Sequence, residues 1–201
     1  MPGSYRVPIG RARGELRERG SRFLALIVPV SDDDGAREQR MEIAQSHPDA
    51  THHCWAVRLG APAAERLSDA GEPAGTAGEP ILRVLRGAGL SDVLGVVARW
   101  FGGTQLGKGG LARAYAGAIR EALLGLETEL RFPTVDLVVE APYERVGAIK
   151  NLIQPPEIEL VEEEYGEGVR MVLRVAEHRR AEIESIFAAW RLLIQSSQLR
   201  L

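Results

Sequence analysis

The order of apolar and polar residues in the first 125 positions indicates strands that alternate with helices. Apolar and polar residues alternate over residues 51–59, and residues 93–100 form an almost continuous apolar run of strand length. Apolar residues then recur at helical spacing from Leu111 to Leu123. With the nearby turn and capping signals, the pattern predicts a hairpin over residues 6–30, a helix from about 33 to 46, a strand over 51–59, a helix from about 76, a strand over 93–100 and a helix from about 110.

The remainder of the chain follows a polar connector, residues 127–133, that ends in a proline. The pattern beyond it predicts strands over 134–140, 158–165, 169–176 and 192–199, and helices over 143–153 and 179–190. This βαββαβ order is typical of a ferredoxin-like domain. The sequence therefore predicts an α+β protein of two domains, residues 1–128 and residues 129–201.

A turn-rich segment, residues 60–80, contains SDAGEPAGTAGEP from Ser68. Thr76 and Glu79 have the spacing of a capping box just ahead of an apolar run, which predicts that a helix begins near Thr76. Asp69, Glu72 and Glu79 are candidate carboxylates for acid–base chemistry. Turn and capping hydrogen bonds are the alternative role for all three.

Composition and charge narrow the class of protein. The chain has 201 residues and a formal net charge of −3, which gives no overall attraction to nucleic acid. Residues 1–128 contain 16 Lys and Arg against 15 Asp and Glu, and residues 129–201 contain 9 against 13. An anionic ligand should therefore prefer the first part. No apolar run is long enough for a membrane span, no signal peptide is evident, and a single cysteine fits a reducing compartment, so we expect a soluble cytoplasmic protein.

The stretch RWFGGTQLGKGGLARAY, Arg99 to Tyr115, has two nucleotide-binding interpretations. Gly102, Gly107 and Lys108 match most of a Walker A loop, but Gly109 stands where a hydroxyl group must ligate magnesium. A loose GxGxxA dinucleotide fingerprint also fits, but no second parallel strand places an acidic residue where the ribose would need it. Both matches are incomplete.

The same stretch has an interpretation that needs no nucleotide. Successive glycines aim backbone amides at one point, and the positive end of the following helix adds to them, so the loop predicts an anion site flanked by Arg99, Lys108 and Arg113. An RNA phosphate or an acidic side chain of a partner would suit this site. The structural alternative is a turn and a close helix–sheet contact made by Gly102, Gly103, Gly109 and Gly110.

Two further features favour structural roles. His52, His53 and Cys54 lie in a predicted strand, where His53 and Cys54 point to opposite faces, and no second pair of ligands at zinc spacing exists. Arginines in the first hairpin alternate with Glu15 and Glu18, which is more typical of a charged cross-strand face than of a nucleic-acid arm.

Several motifs together resemble the IMPACT family. They are Ser21-Arg22-Phe23, HPDATHHCWA from His47, SDAGEPAGTAGEP from Ser68 and VVARWFGGTQLGKGGLARAY from Val96, in family order over roughly residues 15–125. The resemblance implies a first domain like the second domain of a small-subunit ribosomal protein, a layered fold also seen in domain IV of elongation factor G. It implies a ferredoxin-like second domain, as in domain V of that factor.

The resemblance also carries expectations about function. Eukaryotic relatives are implied to regulate translation through a ribosome-associated partner, whereas bacterial members have no settled biochemical activity. The extra N-terminal domain of the eukaryotic proteins has no counterpart in this sequence, Ala70 stands where the family usually has a second aspartate, and Lys108 stands where relatives often have a small residue. The family motifs carry over to Asp69, Glu72, Pro73, Gly75, Thr76, Gly78, Arg99, Gly102, Gly103, Gly107, Gly109, Gly110 and Tyr115.

These observations predict a non-enzymatic binding and regulatory protein linked to translation. Its ligand would be RNA, the ribosome or a translation-associated protein, with no metal, no cofactor, no membrane contact and no DNA specificity. Arg99 would supply charge and Tyr115 would stack or pack. The predicted site consists of Asp69, Glu72, Thr76, Arg99, Gly102, Gly103, Gly107, Lys108, Gly109, Gly110, Arg113 and Tyr115. The alternatives are a phosphate- or nucleotide-handling enzyme or hydrolase at the same surface, and an adaptor that docks a protein on its ferredoxin-like sheet.

Overall fold

A computed structural model describes residues 4–197 of the chain. The chain divides into two compact units, one of Tyr5–Leu130 and one that contains the residues from Arg131 onward. Each unit has its own sheet and its own hydrophobic core. The predicted two-domain α+β fold is therefore confirmed.

The first unit is built on a five-stranded antiparallel sheet. Its elements are β1 (Tyr5–Pro8), β2 (Ala12–Glu18), β3 (Ser21–Pro29), α1 (Asp33–Ser46), β4 (His52–Leu59), β5 (Ala64–Ser68), α2 (Gly78–Gly87), β6 (Val93–Trp100) and α3 (Gly107–Leu123). The strand order is β2-β3-β6-β4-β5, and β1 pairs separately with β7 (Thr128–Arg131). Asp32 caps α1, because its carboxylate accepts a hydrogen bond from the Gly35 amide at 2.7 Å.

Helices cover both faces of this sheet. Val97 on β6 packs in one core with Ile81 of α2 and Ile119 of α3. Leu94 and Val96 pack in a second core with Ile43 of α1, on the other face. Strand β6 lies at the centre and is buried along nearly its whole length, which explains its continuous apolar run.

The second unit has the ferredoxin-like topology that the sequence predicted. Its elements are β8 (Thr134–Ala141), α4 (Tyr143–Lys150), β9 (Ile158–Tyr165), β10 (Val169–Ala176), α5 (Arg180–Ala189) and β11 (Leu193–Ser197), with a short 3-10 turn before α5. The antiparallel strand order is β11-β8-β10-β9. Ile149, Ile183 and Phe187 of the two helices pack on one face of the sheet.

The structure corrects three details of the predicted elements. The turn-rich segment contains a strand, β5, at the edge of the first sheet. Helix α2 begins at Gly78, and the predicted capping box is absent because the Thr76 hydroxyl donates to the Pro73 carbonyl at 2.6 Å. The final strand ends at Ser197, and predicted positions 198 and 199 lie outside the described residues.

Membrane insertion by a helix finds no support in residues 4–197. None of the helices described there is both long enough and apolar enough to cross a bilayer.

Candidate functional site

Arg99 lies inside the first unit, near the end of β6. Its side chain is only 6% exposed and sits between the rings of Phe23 and Phe101. The guanidinium donates a hydrogen bond to Glu72 Oε1 at 2.5 Å and a long one to Ser21 Oγ at 3.4 Å. Glu72 is similarly buried, with 3% of its side chain exposed. The charge of Arg99 is therefore paired internally and is not presented to a ligand.

Tyr115 of α3 completes this buried network. Its hydroxyl donates to Glu72 Oε1 at 2.7 Å, and its ring packs edge-on against Phe23 at 5.2 Å between centroids. Cys54 Sγ lies 3.3 Å from the Tyr115 oxygen and 2.9 Å from the Asp69 carbonyl oxygen. Burial raises the pKa of Cys54 to about 12 and also raises the pKa of Tyr115. Both groups stay protonated at neutral pH, so this cluster holds no activated nucleophile.

Asp69 organises the GEPAGTAG loop, residues 71–78. Its carboxylate accepts hydrogen bonds from the amides of Gly75, Ala77 and Gly78 at 2.8 to 2.9 Å. Partial burial alone would raise the pKa of Asp69, but these three hydrogen bonds outweigh it and hold the pKa below its usual value. The ionised side chain thus closes the loop on itself and caps the start of α2, the role that the sequence analysis assigned to Thr76.

Ala70 adopts a backbone conformation that does not suit alanine. Its φ is +45°, in the left-handed region that glycine, aspartate and asparagine tolerate better, and its side chain is exposed. This is the position where the resemblance noted above predicts an aspartate.

We expect Ala70→Gly to raise the free energy of unfolding by about 1 kcal/mol, because it relieves the left-handed strain. Ala116→Gly on α3 is the control and should lower the same quantity by a similar amount, because α3 is an ordinary helix interior. Urea unfolding followed by circular dichroism measures both. A loss of stability in Ala70→Gly would show that no strain is present at this position.

The glycine loop, residues 101–110, begins where the chain leaves β6. A side chain at Gly102 would place a Cβ 1.9 Å from the Gly20 carbonyl carbon, so the loop packs directly on the turn between β2 and β3. Gly102 also donates its amide to Ser21 Oγ at 3.1 Å. Gly103 and Gly107 have φ of +86° and +68°. The structural interpretation therefore accounts for Gly102, Gly103 and Gly107.

Helix α3 begins at Gly107 with an exposed first turn. Its N-cap, Leu106, makes no side-chain hydrogen bond, and the first turn has no acidic residue. The amides of residues 106–109 have no intrahelical acceptor, and Lys108 and Arg113 are exposed beside them. The anion-site interpretation of these residues stays a prediction.

The predicted site residues thus separate into two groups. Asp69, Glu72, Thr76, Arg99 and Tyr115 form the interior network and the loop that it holds, so the expectation that Arg99 supplies surface charge is corrected. Gly102, Gly103, Gly107, Lys108 and Gly109 are exposed, Gly110 is half-buried, and Arg113 is exposed. The sequence analysis missed Ser21 and Cys54 as members of the network. The one sequence signal for Ser21 and Cys54 was that each lies within a family motif, Ser21-Arg22-Phe23 and HPDATHHCWA respectively.

Further cations lie beside the glycine loop. Arg17 lies near the end of β2, Arg19 in the turn that follows and Arg22 at the start of β3, and Gly102 packs on this turn at Gly20. The Arg22 guanidinium lies 4.6 Å from the Trp100 ring centroid. Glu15 forms ion pairs with Arg17 at 3.2 Å and Arg22 at 3.1 Å. The sequence analysis read these arginines as a charged cross-strand face, and their position next to the loop was not foreseen.

The histidines have local hydrogen-bond partners. His52 Nδ1 lies 2.9 Å from the Ala70 carbonyl oxygen, and His53 Nε2 lies 3.0 Å from the His47 carbonyl oxygen. Over residues 4–197, no group of three or more His, Cys, Asp or Glu side chains is arranged to hold a metal ion.

Together, the fold and the network define a class of two-domain α+β proteins in which a buried Arg–Glu–Tyr cluster joins two glycine-rich loops. The model of the Impact N-terminal domain matches residues 19–123, and the chain belongs to the IMPACT family.

The chain is similar to a curated family member and to two solved structures. The chain is 36% identical over 176 residues to the Escherichia coli IMPACT family member YigZ, an alignment that covers 86% of this chain and 85% of the relative. A crystal structure of a hypothetical protein matches with a TM-score of 0.69 at 29% identity, over 100% and 99% of the two chains. The two-domain translational regulator Yih1 matches with a TM-score of 0.41 at 24% identity, over 59% of this chain and 48% of that one.

Proposed function

We propose that this protein is a non-enzymatic regulator that acts in translation and that it contacts ribosomal RNA through a basic edge of its first unit. The basic edge consists of residues 17–22 and residues 101–113. Membership in the IMPACT family, whose eukaryotic relatives are implied to regulate translation, supports the link to translation.

The observation that carries the RNA contact is the charge of these two adjoining segments. They hold five cations, Arg17, Arg19, Arg22, Lys108 and Arg113, against one carboxylate, Glu18. Arg17 and Arg19 are 78% and 63% exposed, so phosphate oxygens can reach them. Glu15 at the border neutralises only part of this charge. Arginine and lysine contacts to phosphate supply most of the sequence-independent affinity for nucleic acid.

Two further features of the basic edge suit an RNA strand. The exposed first turn of α3 offers backbone amides at the positive end of a helix, where phosphate oxygens bind. Phe101 is 49% exposed at the start of the glycine loop and offers a ring for base stacking. Tyr115, which the sequence analysis expected either to stack or to pack, is packed in the interior, so Phe101 is the ring available for stacking.

Co-sedimentation with ribosomes across a salt series tests this proposal. We expect the wild type to bind and the affinity to fall as salt rises, because bound cations displace counterions from the RNA. The double variant Arg19→Glu/Lys108→Glu should bind about tenfold more weakly or worse at low salt and show a shallower salt dependence.

A control with half the change in net charge is Arg83→Glu, since Arg83 is a 74% exposed arginine on α2 outside the basic edge. Equal weakening by Arg83→Glu would mean that net charge and not the basic edge determines binding. Wild-type binding that is unaffected by Arg19→Glu/Lys108→Glu would contradict the proposed surface.

A further inference from the structure

Among the described residues of the second unit, both helices pack on the same face of its sheet. Helices α4 and α5 pack on the face that carries Leu137, Val139, Met171 and Leu173. The alternating residues of the same strands form the opposite face, which we call the open face. Its residues are Thr134, Asp136, Val138 and Glu140 on β8, Arg170, Val172 and Arg174 on β10, Glu159, Glu162 and Glu164 on β9, and Leu193 and Gln195 on β11.

The open face is acidic. It has five carboxylates, Asp136, Glu140, Glu159, Glu162 and Glu164, and only two arginines. Both arginines are already engaged by carboxylates of the face. Arg174 donates to both oxygens of Asp136 at 2.9 and 3.0 Å, and Arg170 lies 3.3 Å from Glu162 and 3.5 Å from Glu164.

Two carboxylates of the open face stay available to a partner. Glu140 and Glu159 are exposed, and within residues 4–197 neither has a side-chain hydrogen bond or an ion pair within 4 Å. Glu159 lies across from Arg174 and attracts it electrostatically, but the Arg174 guanidinium is hydrogen-bonded to Asp136. They lie on β8 and β9, the two strands that flank β10, so they stand on either side of its arginines.

Apolar side chains lie between these charges. Val138 and Val172 are direct neighbours in the register of β8 and β10, and Leu193 next to Glu140 is 76% exposed. Leu193 lies two positions along the strands from the valine pair, of which Val172 is only 8% exposed. An exposed leucine near these valines, bordered by carboxylates, has the pattern of an interface centre with a charged rim.

We propose that the open face docks a protein partner through a segment in which lysine or arginine side chains alternate with apolar ones. The basic side chains would reach Glu140 and Glu159, and the apolar ones would cover Leu193 and Val138. RNA is the poorer occupant, because the face carries a net charge of −3 and its residues named above include no aromatic ring for stacking. This inference concerns the second unit and does not rest on the RNA contact proposed for the first.

Fluorescence anisotropy with the full chain tests the proposal. The probe is a labelled synthetic peptide in which lysines alternate with valines and leucines, titrated at several salt concentrations. We expect binding by the wild type and a loss of about tenfold or more in the double variant Glu140→Lys/Glu159→Lys, because two attractive contacts become repulsive. Leu193→Ser should also weaken binding while leaving its salt dependence unchanged.

Glu144→Lys provides a control with half the change in net charge, since Glu144 is an exposed carboxylate on α4, away from the open face. It should change the affinity by less than about twofold. Equal losses in Glu144→Lys would overturn the proposal, as would tighter binding of poly(U) RNA than of the peptide at the open face. Concentration-dependent dimerisation that Glu140→Lys/Glu159→Lys abolishes would also overturn it, because the occupant would then be a second copy of this chain.

Discussion

Replacing Arg99 by methionine is expected to lower the free energy of unfolding by about 3–5 kcal/mol, the largest effect that we predict for a single side chain. The substitution leaves the Glu72 carboxylate in the interior without its guanidinium partner, 97% of its side chain being shielded from water. It also removes the long hydrogen bond to Ser21, the residue that accepts from the Gly102 amide. Urea unfolding monitored by circular dichroism measures the loss.

Two variants test whether the loss of stability in Arg99→Met comes from the unpaired buried charge of Glu72 or from another effect of the substitution. Arg17→Met removes a 78% exposed arginine and should change stability by less than about 0.5 kcal/mol. Arg99→Met/Glu72→Gln removes both charges and should be more stable than Arg99→Met alone, because no unpaired charge remains buried. If Arg99→Met unfolds at the same urea concentration as Arg17→Met, the ion pair contributes nothing to stability.

The buried position of Arg99 changes how binding experiments are designed. Arg99→Glu would place a second carboxylate against Glu72 in the core, so we expect this variant to unfold. Loss of ribosome binding in that variant would report a folding defect and not a lost contact. Lys108 and Arg19 are the informative positions, since both are exposed.

Replacing Asp69 by alanine is expected to lower the free energy of unfolding by about 3 kcal/mol at neutral pH. Three backbone amides lose a charged acceptor, and those of Ala77 and Gly78 are partly buried at the start of α2. Asp69→Asn retains one acceptor oxygen and should lose about half as much. Thermal unfolding of both variants beside the wild type checks this order, and an equal loss in the two would contradict the role of the side-chain acceptor.

The contribution of Asp69 should also depend on pH. Its pKa is lower in the folded protein than the value of about 3.9 in an unfolded chain, so the folded state holds the proton less tightly. The stabilisation is therefore complete above about pH 5 and is lost as the pH falls through the lowered folded-state pKa. We expect the difference in stability between the wild type and Asp69→Asn to narrow from pH 5 to pH 3. A constant difference would show that the ionised form makes no special contribution.

Much of the fold follows from local signals. The predicted bounds of β6, β9 and β10 coincide with those in the structure, because each strand lies between clear turns and has a continuous or alternating apolar pattern. The N-cap of α1 is also a local feature, because the hydrogen bond joins the Gly35 amide to Asp32, only three positions earlier. Strand β5 was missed because its sequence, AERLS, is mostly exposed and forms a strand only through pairing with β4 at the sheet edge.

In the candidate site, as in the fold, features set by local sequence could be predicted and features set by distant contacts could not. The sequence singled out Glu72, Arg99 and Tyr115, which the structure brings into one network, but it assigned Arg99 to the surface. A charged residue near the end of a strand gives no local indication of whether it is buried. Burial of Arg99 depends on Glu72, which is 27 positions away, and on Tyr115, which reaches Glu72 from α3 across 43 positions.

The sequence by itself therefore determined the family, the two α+β domains, most element bounds and the set of residues around the loops. Only the tertiary structure decided which charges are available. Packing places Arg99 and Glu72 together in the interior, where neither charge is stable alone. It also brings the turn that carries Arg19, just before Arg22 on β3, against Gly102, where no side chain would fit. Which side chains face water is fixed by contacts between distant segments, and those contacts leave no periodic signal along the chain.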